Sequence, residues 1–384
     1  MLFTAVFVVI LFLILGIHTL YPVLLRSLLR KTISTVPKGN GINSYSDSNL
    51  PTVSILIPVY NEEMAIKTRI NNIIQSKYPK NKLEIVVVDS GSLDATRSIV
   101  ESYYKDMVTL VTEDVRSGKA HAINLGMQIC KGEIIILTDG TTHFHEETIL
   151  ELVDSFKDHK IGAVSALYEV PNSKDSQESA SESIFWKHKD NLRLLESNLY
   201  STSWLSGEAC AFRNKIIEKV NEDTLADDSN IALQVISKGY KVIINPNAHF
   251  TEKSPTQFSD YVKIKSRRAL GGLIETLRFR SLFLNRNYGY FGTIIFPYRI
   301  FVCLISPIFS CVLIGLSFLA FADFLMNFGP YVTLLTMLFL IVAIVLMRSL
   351  AITFFFTQLV TIIALLWQIF GNKDVRWTRS KSRF

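Results

Sequence analysis

The apolar positions change character along the chain. Residues 2–25, LFTAVFVVILFLILGIHTLYPVLL, carry no charge over a stretch longer than the roughly 20 residues that cross a bilayer. From residue 52 onward, short β-branched runs alternate with helical stretches. TVSILIPV (52–59) precedes EEMAIKTRINNIIQS, and LEIVVVD (83–89) precedes LDATRSIVESYY. MVTLVT (107–112) precedes GKAHAINLGMQIC, and GEIIILTD (132–139) precedes HEETILELVDSF. Such runs fit strands buried on both faces, so the pattern predicts an α/β domain with a mainly parallel sheet between helices. Ligands of such sheets sit beyond the carboxyl ends of the strands. The loops at 58–63, 89–94, 113–121 and 139–145 therefore carry the candidate chemistry.

Beyond residue 290 the chain turns apolar again. Residues 291–326 hold only Arg299 and Asp323 as charges, with Pro297 and Pro307 interrupting the run. Residues 331–370 are about twice the length of one span. A single helix there would put Arg348 near the bilayer centre, at a cost of about 2.5–3.5 kcal/mol. Two spans meeting near Arg348 are expected instead. At the other end, nothing charged precedes the 2–25 run and no small-residue cleavage site follows it, which favours a retained anchor over a signal peptide.

Composition agrees with a membrane protein: 49% of residues are hydrophobic and only 19% charged. Arg26, Arg30, Lys31 and Lys38 follow the anchor and predict a cytoplasmic side for residues 26–290. The basic tail GNKDVRWTRSKSRF asks for the same side. One anchor plus three later spans would leave it outside, so 291–306 is expected to lie along the interface or re-enter, and the side of the tail stays open. The expected layout is an anchor at 1–25, a linker at 26–51, an α/β domain at 52–250, membrane-interface helices at 251–290, transmembrane helices at 291–371 and a basic tail at 372–384. The polar stretch PNSKDSQESASES (171–183) reads as an exposed loop. A net charge of +6 is explained by basic flanks facing anionic lipid headgroups, without nucleic acid. The cysteines, Cys130, Cys210, Cys303 and Cys311, have no metal-ligand spacing.

PVYNEE (58–63) ends the first strand. Asn61 reads as a helix cap and Glu62 and Glu63 as charges suited to a helix start, while Tyr60 offers a ring on which a base can stack. VVVDSGSLDAT (86–96) sets Asp89 at a strand tip, where its carboxylate can accept from a pyrimidine imide; Asp94 reads as a cap. RSGKAHAIN (116–124) brings Arg116 and Lys119 to a helix start suited to phosphate. ILTDGTTHF (136–144) delivers Asp139 to a loop.

In this order the stretches VSILIPVYNEE, EIVVVDSGSLDAT, GKAHAINLGM and GEIIILTDG resemble successive motifs of the family-2 glycosyltransferases of the GT-A fold, over about residues 52–275. The closer likeness is to membrane synthases of the hyaluronan, chitin-oligosaccharide and poly-N-acetylglucosamine type. The resemblance implies a nucleotide-sugar donor held by Tyr60, Glu62, Asp89, Lys119 and Asp139, with Arg267 and Arg268 near the diphosphate. It implies Mg²⁺ or Mn²⁺ at Asp139. The family pattern there is aspartate, any residue, aspartate, whereas this chain has Asp139, Gly140 and Thr141. One carboxylate can suffice for Mg²⁺ when substrate phosphates complete its shell, with Thr141 holding a bound water. His143 and His145 read as loop residues.

SWLSGEACAFRNKII (203–217) resembles the acceptor-channel strand, with Gly207, Glu208 and Arg213 as acceptor residues. LADDSNIALQVISKGYKVII (225–244) resembles the acidic pair before a helix, which implies Asp228 as general base and Asp227 as its neighbour. A second carboxylate close by raises the pKa of the first, which suits it to accept a hydroxyl proton. YVKIKSRRALGG (261–272) is the stretch that matches the family's glutamine–x–x–arginine–tryptophan motif; Arg267 and Arg268 are present, but there is neither glutamine nor tryptophan. The missing aromatic platform weakens the grip on a growing glycan by about 1 kcal/mol, so single-sugar transfer to a lipid acceptor is the alternative to polymerisation. A catalytically inactive scaffold for partner membrane proteins is the reading outside enzymes. A multi-pass protein of the cell membrane is expected.

Overall fold

The computed structural model describes residues 2–32 and 50–346, with backbone alone over 339–346, and a few positions between 358 and 366. Most of the linker, the surroundings of Arg348 and the basic tail lie outside the described residues.

An eight-stranded sheet organises the chain, in the order β3-β2-β1-β4-β7-β6-β8-β5. Its strands are β1 (Val53–Val59), β2 (Leu83–Ser90), β3 (Thr109–Glu113), β4 (Ile134–Thr138), β5 (His143–Phe144), β6 (Ile161–Glu169), β7 (Ala209–Arg213) and β8 (Lys241–Thr251). The first half is the parallel sheet that the apolar runs predict: β1 pairs in parallel with β2 and β4, and β2 with β3. Beyond β4 the sheet is mixed, because β7 runs antiparallel to both β4 and β6. That reversal brings the start of β7 beside the end of β4, pairing Ala209 with Thr138.

Crossover helices cover the two faces. Helices α2 (Ile66–Ile74), α3 (Thr96–Tyr104) and α5 (Thr148–Asp154) supply Ile66, Ile70, Val100 and Leu152 to one apolar cluster. Helices α4 (Lys119–Ile129) and α7 (Asp227–Ser237) supply Ile123, Ile231 and Val235 to the other. Within 171–183 the expected loop ends early. Ser176 accepts a hydrogen bond from the Ser179 amide and Ser179 reciprocates, a capping box that starts helix α6 (Gln177–Leu199) inside the polar stretch. Asn61 is not a cap either: it has a φ of 54°, and its Oδ1 accepts from the Leu93 amide at 2.8 Å, tying the β1 and β2 loops together.

Two helical runs, Leu2–Lys31 and Phe291–Leu338, are long and apolar enough to cross a membrane. The first belongs to α1 (Leu2–Thr32). The second begins with a π turn at Phe291–Ile295, continues through α9 (Phe296–Ile300) and a second π turn, and becomes α10 (Ser306–Leu346). Gly329 leaves helical geometry just before Pro330, between the two apolar stretches of the sequence. The 291–306 segment packs against the rest of the chain. Phe291, Ile295 and Phe296 are part of the apolar cluster under the sheet, and buried Arg299 donates to the Ser203 carbonyl at 2.6 Å and to Thr276 Oγ1 at 2.8 Å. Its charge is met by a backbone dipole of the α/β domain and a hydroxyl of the 251–290 segment, which ties the run to both. Thr4 on α1 donates to Asp323 Oδ2 on α10 at 2.8 Å, a polar link suited to apolar surroundings.

Candidate active site

The carboxyl ends of β1, β2 and β4 open into a cleft lined by Tyr60, Glu62, Arg116, Lys119, Asp139 and Thr141 among others. Arg116 sets its guanidinium over the Tyr60 ring, 3.9 Å from the centroid. Glu62 is buried. Asp89 is buried at the end of β2; burial raises its pKa, while hydrogen bonds from Ser92 act the other way.

Lys119 is the hinge of the site. Gly118, at a φ of +106°, lets the chain turn into α4, so Lys119 starts the helix with its side chain over the cleft. Its Nζ stands 2.8 Å from Asp139 Oδ1 and 3.3 Å from Asp227 Oδ2. Burial opposes the ammonium's charge, but Asp139 and then Asp227 outweigh it and raise its pKa above the usual lysine value. Asp139 ends the parallel half of the sheet, whereas Asp227 lies in the first turn of α7, so one ammonium joins two halves of the fold.

Gly207 lies in the same space. A Cβ there would come 3.5 Å from Asp228 Cβ, 3.7 Å from Asp227 Oδ2 and 3.8 Å from Lys119 Nζ. Asp228 is pushed up to about 6, first by burial and then by the charge of Asp227; Lys189 opposes the shift. The acidic pair thus has the electrostatics of a base that is free to take a proton near neutral pH. Asp227 Oδ2 is buried and receives no aligned hydrogen bond from the described residues.

Not every expected residue reaches the cleft. Arg213 does not, which withdraws it as an acceptor residue. Because β7 is antiparallel to β4, Arg213 pairs with Ile134 at the opposite end of the strand from Asp139. Its guanidinium is spent on the carbonyls of Ile161 and Phe156 at 2.9 and 2.7 Å. Arg268, on α8 (Phe258–Arg278), is held at 2.8 Å from Glu208 and 3.2 Å from Glu182. Two carboxylates offset its charge. Arg267 is half-buried beside it. Glu208 stays near the acidic pair and adds to the upward shift of Asp228.

The structure also adds a residue that the motifs did not single out. Thr141, where the family pattern has its second aspartate, donates from Oγ1 to Glu252 Oε1 at 2.5 Å. Glu252 is buried just past β8, more than a hundred positions away in sequence. Buried Arg69 feels both Asp139 and Glu252, so the two carboxylates share one neighbourhood. Asp139, Thr141 and Glu252 offer oxygen donors of the kind a hard divalent cation takes, while no group of three acidic, histidine or cysteine side chains among the described residues is gathered to hold one. Replacing Glu252 with glutamine is expected to weaken Mn²⁺ binding about tenfold, measured by calorimetry.

The cleft thus sets Asp139, at the end of β4, one ammonium away from an acidic pair whose Asp228 has a raised pKa. The fold is shared with a solved structure: the mannosyltransferase PcManGT from Pyrobaculum calidifontis, solved with GDP-Man and Mn²⁺, superposes with a TM-score of 0.78 over 96% of this chain and 99% of that one, at 24% identity. Residues 54–220 match the family described as Glycosyl transferase family 2; the chain carries a domain of that family. Among curated relatives, the probable glycosyltransferase YdaM of Bacillus subtilis (strain 168) is 27% identical over 68% of this chain and 65% of its own length. The poly-beta-1,6-N-acetyl-D-glucosamine synthase of Staphylococcus epidermidis is 22% identical over 59% of this chain and 56% of its own. The matched part thus spans less than two-thirds of the length of these relatives.

Proposed function

We propose that this chain is a membrane-bound inverting glycosyltransferase that moves a sugar from a nucleoside-diphosphate donor, UDP-linked, to an acceptor hydroxyl, forming a β-linkage. The observation that carries this reading is the contact of Lys119 with both Asp139 and Asp227 in one cleft. It brings the donor side and the acceptor side within one side chain of each other. The β-linkage and the UDP donor are supported by the motif resemblance and by the β-linked product in the name of the staphylococcal relative. The two apolar runs support a bilayer anchor, and the basic residues Arg26, Arg30 and Lys31 support a cytoplasmic side for the catalytic domain, about 52–250.

The mechanism follows from the residues. Tyr60, with Arg116, stacks the base, and Asp89 accepts from its imide. Asp228 takes the proton of the acceptor hydroxyl, whose oxygen attacks the anomeric carbon from the face opposite the diphosphate. The new C–O bond forms as the bond to the diphosphate oxygen breaks, and the diphosphate leaves with that electron pair. Lys119 lies where negative charge grows on the departing group and stabilises it electrostatically. A Mg²⁺ or Mn²⁺ ion held by Asp139, with Thr141 and Glu252 behind it, would add charge neutralisation of the same kind. No enzyme nucleophile is required.

Full-length protein in detergent, given labelled UDP-sugars with Mn²⁺, is expected to release UDP and to label an acceptor. Chromatography of the product separates a single addition from a ladder. Absence of nucleotide binding and of nucleoside-diphosphate release, UDP from UDP-glucose and UDP-N-acetylglucosamine or GDP from GDP-mannose, would overturn the reading in favour of a scaffold.

A further inference from the structure

The acceptor side of the cleft holds a cation with an unusual set of neighbours. Lys189, on α6, has its ammonium 4.5 Å from the centroid of Trp186 and 4.6 Å from that of Trp204. Among the described residues it makes neither a hydrogen bond nor an ion pair. The cations around it are all engaged: Arg193 with Asp190 at 2.6 Å, Lys265 with Glu182 at 2.7 Å, and Arg268 with Glu182 and Glu208. Asp228 is the carboxylate whose charge reaches Lys189. Cation–π contacts offset only a part of what an ammonium loses on leaving water. The ammonium is therefore short of negative charge. In agreement, its pKa is pulled down to about 7, by burial first and by Arg193 next, with Asp228 acting the other way.

The position of Lys189 also says how an anion would arrive. Further along the same helix, Leu199 packs into a cluster with Tyr21, Leu25 and Leu29 of α1, with Leu192 and Leu195 against it. Trp204 touches the second apolar run, since Arg299 stands 3.8 Å from its ring centroid. Lys189 thus sits where both bilayer-length helices meet the catalytic cleft, and Trp204 lies three residues before Gly207. A hydroxyl approaching Asp228 from the apolar helices passes this ammonium. If the acceptor carries a phosphate next to that hydroxyl, the anion has to enter a region already crowded by Asp227, Asp228 and Glu208. A countercharge there is what makes that possible.

We propose that Lys189 binds a phosphate on the acceptor, and that the acceptor is a lipid whose reacting hydroxyl stands next to that phosphate. This deepens the glycosyltransferase reading and rests on Asp228 as the base. The two tryptophans contribute the apolar walls, which substitutes here for the aromatic residue missing from the arginine motif of α8.

The test uses full-length protein in neutral detergent and three probes: dihexanoyl phosphatidylglycerol, dihexanoylglycerol and sn-glycerol 3-phosphate. Binding is read from tryptophan emission, because the site lies between two indoles, and UDP binding with Mn²⁺ is measured alongside. The wild type is expected to bind the phospholipid about tenfold tighter than the neutral lipid, one charge-assisted contact's worth, and tighter than glycerol phosphate. Lys189→Met should erase the preference over the neutral lipid, and Lys189→Arg should keep most of it, with UDP binding within twofold in both. Equal binding of the two lipids by the wild type, or a preference that survives Lys189→Met, overturns the proposal. Glycerol phosphate binding as tightly as the phospholipid overturns its lipid part. Loss of UDP binding in the wild type counts against the donor site instead and leaves the lipid preference readable by itself.

Discussion

Replacing Asp228 with asparagine is expected to lower sugar transfer by about 10²–10⁴-fold, the usual contribution of a positioned base, with UDP binding within twofold of wild type. Asparagine keeps the shape at the start of α7 but cannot take a proton. The pH profile carries the sharper test. Asp228 acts only when ionised, and its pKa is pushed up to about 6 by burial and by Asp227. Transfer should therefore rise with pH through about 6 and level off above it. Asp227→Asn removes the neighbouring charge and should move this limb toward more acidic pH. The linkage to stability has the opposite sense. A carboxyl whose pKa is raised on folding favours the folded state while both states are protonated, below the ordinary value of 3.8, and that contribution is lost as pH rises through about 6. Asp228→Asn should accordingly not lower the thermal midpoint at pH 8. A large drop in the midpoint there, together with lost activity, would show that the residue holds the fold rather than the proton.

Asp139→Ala is expected to have the second large effect, about 10²–10³-fold on transfer, with the dependence on Mn²⁺ lost as well. Asp139 meets Lys119 at 2.8 Å, so its removal also frees the ammonium to pair with Asp227 alone. The two consequences can be told apart. Loss of cation binding shows as UDP affinity that no longer responds to Mn²⁺ or to chelator, measured by calorimetry. Misplacement of Lys119 shows as a displaced pH limb, since the field on the acidic pair changes. Transfer that ignores chelator and survives Asp139→Ala would remove the cation from the mechanism.

Much of the donor half was legible because it is built from local signals. Each β-branched run ends in a polar loop, and in a parallel sheet those loops all open on one side. Tyr60, Asp89, Lys119 and Asp139 could therefore be assigned to one edge from order alone. The apolar length of 2–25 and of 291–326 was equally plain, since span length depends only on composition.

The acceptor half was less legible, because its geometry depends on strand direction. A motif that puts Gly207 and Arg213 in one run cannot tell that β7 is antiparallel to β4. That reversal keeps Gly207 beside Asp228 and carries Arg213 to the far end of the sheet. The 171–183 stretch hid a helix start because serines and glutamates suit both loops and capping boxes.

The amino-acid order by itself determined the strand–loop–helix rhythm, the apolar spans and the carboxylates at strand and helix ends, since these follow from periodicity and local backbone preference. Only the folded chain decided which distant groups meet: Glu252 with Thr141, Lys119 with Asp227, and Lys189 between two indoles beside Asp228. Charge interactions act across a few ångströms of space and take no account of separation along the chain, so no local pattern could encode them.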